Sequence, residues 1–312
     1  MVCNLTPKFY QMKFPPYLRR GDRVAIVAPA GRIAAGDVLP AIEWLEKWGL
    51  KVMPGQHLQG SHFQFSGTDE ERLDDLQRAL DDPEIRAVFC ARGGYGLIRI
   101  IDRIDFSAFR KKPKWVAGYS DITLLHQRIN RLGIASVHGV MARHFTSEGG
   151  EPTQSLDSLM KVLTGEKVTH TFRGHPLNSQ TTITGILVGG NLSLIYSLTG
   201  TPFDIKTKNK ILFLEDIGEY LYHIDRMMHN LRLGGKMSGA AGVLAGQFSD
   251  VKDNDTPFGL TVEEIIAEAA ARARCPVCFG MPAGHDQPNL ALVFGATWEL
   301  VSSPHQCTLS MK

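Results

Sequence analysis

The chain has 312 residues, 43% of them hydrophobic, with 34 lysines and arginines against 32 aspartates and glutamates. That length and apolar content support a large core and favour two domains, while the near-balance of charge excludes the basic excess expected of a nucleic-acid or anionic-membrane binder. No apolar run reaches the ~18 residues of a membrane span, and the opening "MVCNLTPKFYQMKF" lacks the apolar stretch of a secretory signal, so a cytoplasmic protein is expected, with a small polar substrate left open.

From residue 22 to about 140 short apolar strands alternate with amphipathic helices. "RVAIVAPA" leads to "DVLPAIEWLEKWGL", "KVMPG" to "DEERLDDLQRALDD", "AVFCARGG" to "YGLIRIID", and "KWVAGYS" to "DITLLHQRINRLG", before "ASVHG" closes the series. Such alternation specifies βαβ units on a mostly parallel sheet, here an α/β domain over residues 13–145. Residues 146–182 are polar and broken by Gly and Pro around one short helix, and read as a linker. A second, mixed α/β domain follows over 183–312, with "TITGILVGG", "NLSLIYSLTGT", "KILFLED", a long helix through "HIDRMMHNLRLGG", "AGVLAGQFSD", a helix at 261–274 and a closing strand pair, "CFGMPAG" and "LALVFGATWELVSS".

Five cysteines in a long chain fit reduced thiols better than a disulfide framework. Cys275 and Cys278 have redox spacing, but a helix pattern precedes the pair where a reactive CxxC needs a helix N-terminus beneath it. Two core or edge thiols are expected, and no second cysteine pair or spaced histidine pair accompanies them to hold zinc. The stripe Leu221, Ile224, Met228 and Leu231 on the long helix has the spacing of one buried face, and Trp115, in the strand before "GYSD", is expected in the core.

Ligands of an open parallel sheet sit beyond the carboxyl ends of its strands, so the residues leaving each strand are the candidates for chemistry. In "GYSD", Ser120 stands on a strand-to-helix turn, the geometry that lifts a nucleophile clear of its backbone; the second glycine of G-x-S-x-G is replaced by Ile122. Capping of the next helix by Ser120 or Asp121 explains the same turn. A serine needs a base, and the base needs an orienting carboxylate. His285, in the Gly- and Pro-flanked "GHDQPN" loop, suits the first role, and Glu215, ending the apolar strand "ILFLED", suits the second; helix capping by Glu215 or Asp216 is the competing account. The glycine-rich "RGGYG" lacks the lysine and hydroxyl residue of a P-loop, and neither it nor "APAGR" has G-x-G-x-x-G spacing, which argues against a nucleotide site. Asn191 in "GGNLSL" reads as a helix N-cap.

Taken together and in order from about residue 14 to 300, "GDRVAIVAPAG", "ARGGYGLIRI", "GYSDIT", "HG", "GGNLSLIYSLTGTPFD", "LFLEDIGEYLYHIDRM" and "GMPAGHDQPNLAL" resemble the LD-carboxypeptidase family of serine peptidases. That family includes the muramoyltetrapeptide carboxypeptidases and the microcin C immunity peptidases. The resemblance implies a catalytic triad of Ser120, Glu215 and His285, split between the domains, with a flavodoxin-like first domain, a smaller β-rich second domain and a homodimer. It further implies a hydrolase without cofactor or metal that removes D-alanine from murein tetrapeptides during cytoplasmic wall recycling. The oxyanion would meet the backbone N–H of Asp121, next after the nucleophile, and one from the glycine loop, with Gly94 favoured over Gly93. Arg92 is a candidate for the substrate carboxylate, since a guanidinium matches its fork. Two alternatives stand beside this reading: a peptidase acting on the amide of peptidyl or aminoacyl nucleotides, as in the microcin immunity relatives, and a muropeptide- or nucleotide-binding module without turnover.

Overall fold

The structure, a computed structural model, describes residues 12–145, 147–148 and 151–312; Cys3 and most of the opening segment lie outside them. The first half lays down β1 (Arg23–Val27), α1 (Ala35–Lys47), β2 (Lys51–Pro54), α2 (Asp69–Asp81), β3 (Ile85–Cys90), α3 (Ser107–Lys111), β4 (Trp115–Gly118), α4 (Thr123–Arg131) and β5 (Ser136–His138). β1 to β5 are parallel in the order β2-β1-β3-β4-β5, the flavodoxin-like arrangement in which the order reverses between β1 and β3. Alternation along β1 explains the layers. Val24 and Ile26 face one side with Val38, Ala41 and Leu45 of α1, whereas Ala25 and Val27 face the other with Leu76 and Leu80 of α2 and Leu125 of α4. Helix α2 starts at a capping box in which Thr68 accepts from Glu71 N–H and Glu71 returns a bond to Thr68 N–H.

The expected linker does more than connect. After the short ladder β6 (Ser147–Glu148) and β7 (Glu151–Pro152), α5 (Gln154–Thr164) sends Leu156, Leu159, Val162 and Leu163 into the core, and β8 (Thr169–Arg173) becomes the edge of the second sheet. The remaining elements are β9 (Thr181–Asn191), α6 (Leu192–Ser197), β10 (Lys210–Ile217), α7 (Leu221–Leu233), β11 (Gly242–Ser249), α8 (Val262–Ala273), β12 (Val277–Cys278), β13 (Leu292–Phe294), β14 (Thr297–Ser302) and β15 (Gln306–Met311). The second sheet runs β12-β11-β10-β9-β14-β15-β8, with β9 to β12 parallel and the other three strands antiparallel.

The expected closing pair of strands is divided between the sheets. Of "CFGMPAG" only the start is strand, as β12, while "LALVF" leaves the second sheet altogether: β13 pairs antiparallel with β5 and completes the first sheet as its sixth strand. One hydrophobic cluster consequently spans both sheets, joining Phe89, Trp115 and Val137 to Leu187, Phe213, Phe294 and Trp298. The halves share a core rather than a wetted interface.

Candidate functional site

The turn after β4 is built under strain. Gly118 ends a fully buried strand, Tyr119 is extended, and Ser120 takes φ 61°, in the left-handed region that costs an L-residue roughly 1–2 kcal/mol. A short 3₁₀ turn over Ser120–Ile122 then runs into α4, and neither start has a side-chain cap. Asp121 points elsewhere: its Oδ2 accepts the Leu97 N–H at 2.8 Å, and burial pushes its carboxyl up to about 6. Capping therefore does not account for Ser120, whose half-buried hydroxyl sits on a strained elbow that packing does not explain.

The two loops at the reversal of strand order meet at this turn. Gly31 N–H, after β1, donates to Gly93 O at 2.8 Å, and a Cβ on Gly93 would lie 2.9 Å from Ser120 Cβ and 3.0 Å from its Oγ. Only glycine allows that approach. Because a trans peptide directs its C=O and N–H oppositely, anchoring Gly93 O on Gly31 turns the Gly94 N–H away from that anchor. Gly94 itself has φ 95°, and among the described residues neither its N–H nor that of Asp121 is donated to any acceptor. Arg92 donates through Nη1 to Arg32 O, tying the same two loops together.

On β10, Phe213 and Glu215 share one face and Leu214 and Asp216 the other. Glu215 has no exposed surface, and its Oε2 lies 2.7 Å from His285 Nδ1. Asp216 accepts from Asn191 Nδ2 and Ser193 N–H, both at 2.8 Å, so it serves the N-terminus of α6 and not that of α7, which has no side-chain cap. Burial and the Glu215 charge push Asp216 up to about 7. Asn191 is the N-cap expected of it, accepting from Leu194 N–H.

His285 sits in the loop between β12 and β13. Gln247 pins that loop by donating to Pro288 O and accepting from Asp286 N–H, both at 3.0 Å. Burial alone would lower the imidazole pKa, but the hydrogen bond and charge of Glu215, helped by Asp216 and Asp286, raise it above the ordinary value. The Tyr119 ring stands edge-on to the His285 ring at 4.9 Å, which brings the residue next to Ser120 against the imidazole. Two further bonds hold the halves in register: Thr123 Oγ1 accepts from Asn191 N–H at 3.0 Å, and Gln127 Nε2 donates to Gly189 O at 2.7 Å.

Other sequence candidates fall outside this cluster. Cys275 and Cys278 are buried, and burial pushes their thiols up to about 11 and about 12. Helix α8 ends before them, and the nearest thiol to Cys278 is Cys307, 3.6 Å away and unbonded. Ile224, Met228 and Leu231 face the core beside α8, with Leu221 packed at its margin, and Trp115 is fully buried. Among the described residues, His57, Asp74 and Asp75 bring possible metal-ligating atoms within 4.8 Å of one another at the β2 edge, but Asp74 is already paired with Arg78. Sequence reasoning gave no role to Tyr119, His138 or Asn289 around the cluster, although each lies in a motif that carries the family resemblance, "GYSDIT", "HG" and "GMPAGHDQPNLAL".

Residues 24–139 match the LD-carboxypeptidase N-terminal domain, and residues 184–300 match the LD-carboxypeptidase C-terminal domain. The chain belongs to the LD-carboxypeptidase family. It is 39% identical to the probable murein peptide carboxypeptidase of Bacillus subtilis (strain 168), over 90% of this chain and 89% of that one. The murein tetrapeptide carboxypeptidase of Pseudomonas aeruginosa is 33% identical, over 88% of this chain and 92% of its own. Among solved structures, the muramoyltetrapeptide carboxypeptidase of Oxalobacter formigenes superposes with a TM-score of 0.85 at 28% identity, covering 93% of this chain and 98% of that one. As a member of this family the chain is an enzyme, a hydrolase of peptide bonds.

Proposed function

We propose that the protein is a serine L,D-carboxypeptidase that releases the terminal D-alanine of murein tetrapeptides in cell-wall recycling, with Ser120 as nucleophile, His285 as base and Glu215 as its orienter. The observation that carries this reading is the 2.7 Å contact of His285 Nδ1 with a fully buried carboxylate, beside the ring that precedes a strained serine. A carboxylate on Nδ1 holds the proton there and leaves Nε2 unprotonated, the tautomer a base requires. His285 Nε2 takes the Ser120 proton as Oγ attacks the peptide carbonyl, and Glu215 stabilises the imidazolium. Collapse of the tetrahedral intermediate passes that proton to the leaving amine of D-alanine, and water repeats the sequence on the acyl-enzyme. The N–H groups of Asp121 and Gly94 face the developing oxyanion, and Arg92 contributes cationic charge for the substrate's terminal carboxylate.

The test is incubation with a muramoyl tetrapeptide and mass-spectrometric detection of D-alanine, with Ser120→Ala alongside. Release by the unsubstituted protein only is the expected result. Absence of release from any tetrapeptide by a folded protein would overturn the assignment and direct the search to peptidyl and aminoacyl nucleotides. Tight muropeptide binding without turnover, indifferent to Ser120→Ala, would favour the binding module.

A further inference from the structure

Beneath the site, four buried polar atoms on three residues lack a hydrogen-bond partner: Nδ1 and Nε2 of His138, Nδ2 of Asn289 and Oε1 of Glu215. Each is costly to leave unmade in an apolar interior, by about 1–3 kcal/mol. They are also close together in the fold. His138 ends β5, opposite Gly118 on β4, and is fully buried. Its ring is 5.1 Å from Phe213, 5.6 Å from Phe294 and 5.9 Å from Tyr119. Phe213 lies two residues before Glu215 on the same face of β10, so the carboxylate comes off the strand on the side where His138 packs. Asn289 belongs to the His285 loop, and its Oδ1 accepts the Gly284 N–H at 3.2 Å, leaving the amide nitrogen for another acceptor.

The donor and acceptor count balances. A neutral imidazole has one donor and one acceptor, Asn289 Nδ2 is a donor and carboxylate Oε1 an acceptor. We infer that His138 is a positioning residue for the Glu215–His285 pair: it accepts from Asn289 Nδ2 and donates to Glu215 Oε1, directly or through one water, so that both oxygens of the buried carboxylate are held. The chain then reads Asn289 to His138 to Glu215 to His285, with no proton moving along it during turnover. Its consequence is orientation. With Oε1 fixed, the carboxylate cannot rotate away from His285 Nδ1, and Asn289 couples that orientation to the loop carrying the base. His138 stays neutral in this role, because burial, with the nearby rings of His126 and His285, holds its pKa well below the ordinary histidine value against a smaller raising contribution from the neighbouring Asn289 side chain. Other titratable groups around the chain are Asp216 and Asp286 beside His285, the Tyr119 hydroxyl, and His144 and Arg143 beyond it.

This inference rests on the roles proposed for Glu215 and His285, and its test is arranged to separate the two. His138→Phe keeps a ring and removes both nitrogens, whereas His138→Gln keeps one donor and one acceptor. The expected result for His138→Phe is a kcat lower by about 10- to 100-fold, the scale of one hydrogen bond to a charged group, with KM little changed. The acid limb of kcat/KM should move to higher pH, since an unsupported carboxylate favours a proton on the pair. His138→Gln should restore most of the rate and the pH midpoint. Equal losses in both variants with an unmoved midpoint, or a His138→Phe enzyme with unaltered kcat, would overturn the inference and leave His138 a packing residue. Should His138→Phe fail to fold, histidine-labelled nitrogen NMR of the unsubstituted protein decides: a single neutral tautomer with a slowly exchanging ring N–H is expected, and a freely exchanging or doubly protonated ring at neutral pH refutes it. An inactive but folded protein would sink the hydrolase reading, and the His138 resonances would still test the hydrogen-bond chain.

Discussion

Gly93→Ala places a methyl group against Ser120, the proposed nucleophile. The new Cβ would lie 2.9 Å from Ser120 Cβ, 3.0 Å from Oγ and 3.3 Å from Asp121 N, whereas carbon contacts settle at about 3.5–4.0 Å. Something must therefore open by roughly 0.5–1 Å. Gly93 cannot easily retreat, because its carbonyl is held by Gly31 N–H at 2.8 Å, so the displacement falls on the elbow. A misplacement of that size costs about 100-fold in rate, or about 2.7 kcal/mol of transition-state stabilisation. Stability should fall by only about 1–3 kcal/mol, the range for overpacking a tight site. Gly36→Ala is the matched control: it lies in α1 with nothing within 4 Å of its added Cβ, and should leave activity unchanged and stability level or up to about 1 kcal/mol higher. The assay is kcat/KM for D-alanine release, with thermal unfolding in parallel. A folded Gly93→Ala enzyme with unaltered kcat/KM would refute the placement of the reacting hydroxyl against this loop.

In the proposed role of base His285 must be unprotonated, and its pKa is raised, so kcat/KM should fall with decreasing pH through a midpoint above the ordinary histidine value of 6.5. Glu215→Gln removes the main raising charge and should move that midpoint to lower pH while reducing kcat by about 100-fold or more, read from a pH–rate profile. The same raised pKa stabilises the folded state fully below the unfolded-state value and loses that contribution as pH rises through the folded one; urea midpoints across this window should show Glu215→Gln lacking it. At the strained turn, Ser120→Gly should be more stable than Ser120→Ala by about 1 kcal/mol, both inactive, because only glycine relaxes at φ 61°; equal melting temperatures would remove the strain. Thr123→Val leaves the buried Asn191 N–H unpaired between the two halves and should cost about 1–3 kcal/mol in urea unfolding.

The first five strands were legible because β1, β3, β4 and β5 are largely buried beneath helices and keep short apolar runs, with only β2, at the edge, left exposed; the helix expected over "YGLIRIID" is instead two short 3₁₀ turns, Leu97–Arg99 and Ile101–Arg103, and the α-helix before β4 forms later, at Ser107–Lys111. The second sheet was less so. β8 lies at a sheet edge, where a burial pattern of alternate residues, "THTFR", looks polar and loop-like in sequence. β13 has the composition of any core strand, and nothing local in "LVF" tells which sheet will claim it. Ser120, Glu215 and His285 were visible as strand-end residues, and the family resemblance raised them above helix capping. His138 and Asn289 were passed over because their interest lies in which buried atoms face one another across three elements, a relation that spacing along the chain does not carry.

The return of β13 to the first sheet sets when the enzyme can exist. The strand that completes that sheet follows immediately after the His285 loop and is made some 150 residues later than the β5 it pairs with, so an N-terminal half emerging from the ribosome presents an unpaired edge and an elbow serine with no partner. During synthesis the nascent chain should therefore be both inert and prone to associate through that edge. Catalytic competence and the closing of the exposed edge arrive in one late event, so fragments cut between the halves should recover activity only when mixed, and premature termination anywhere before residue 294 should yield an aggregating chain rather than a weak enzyme.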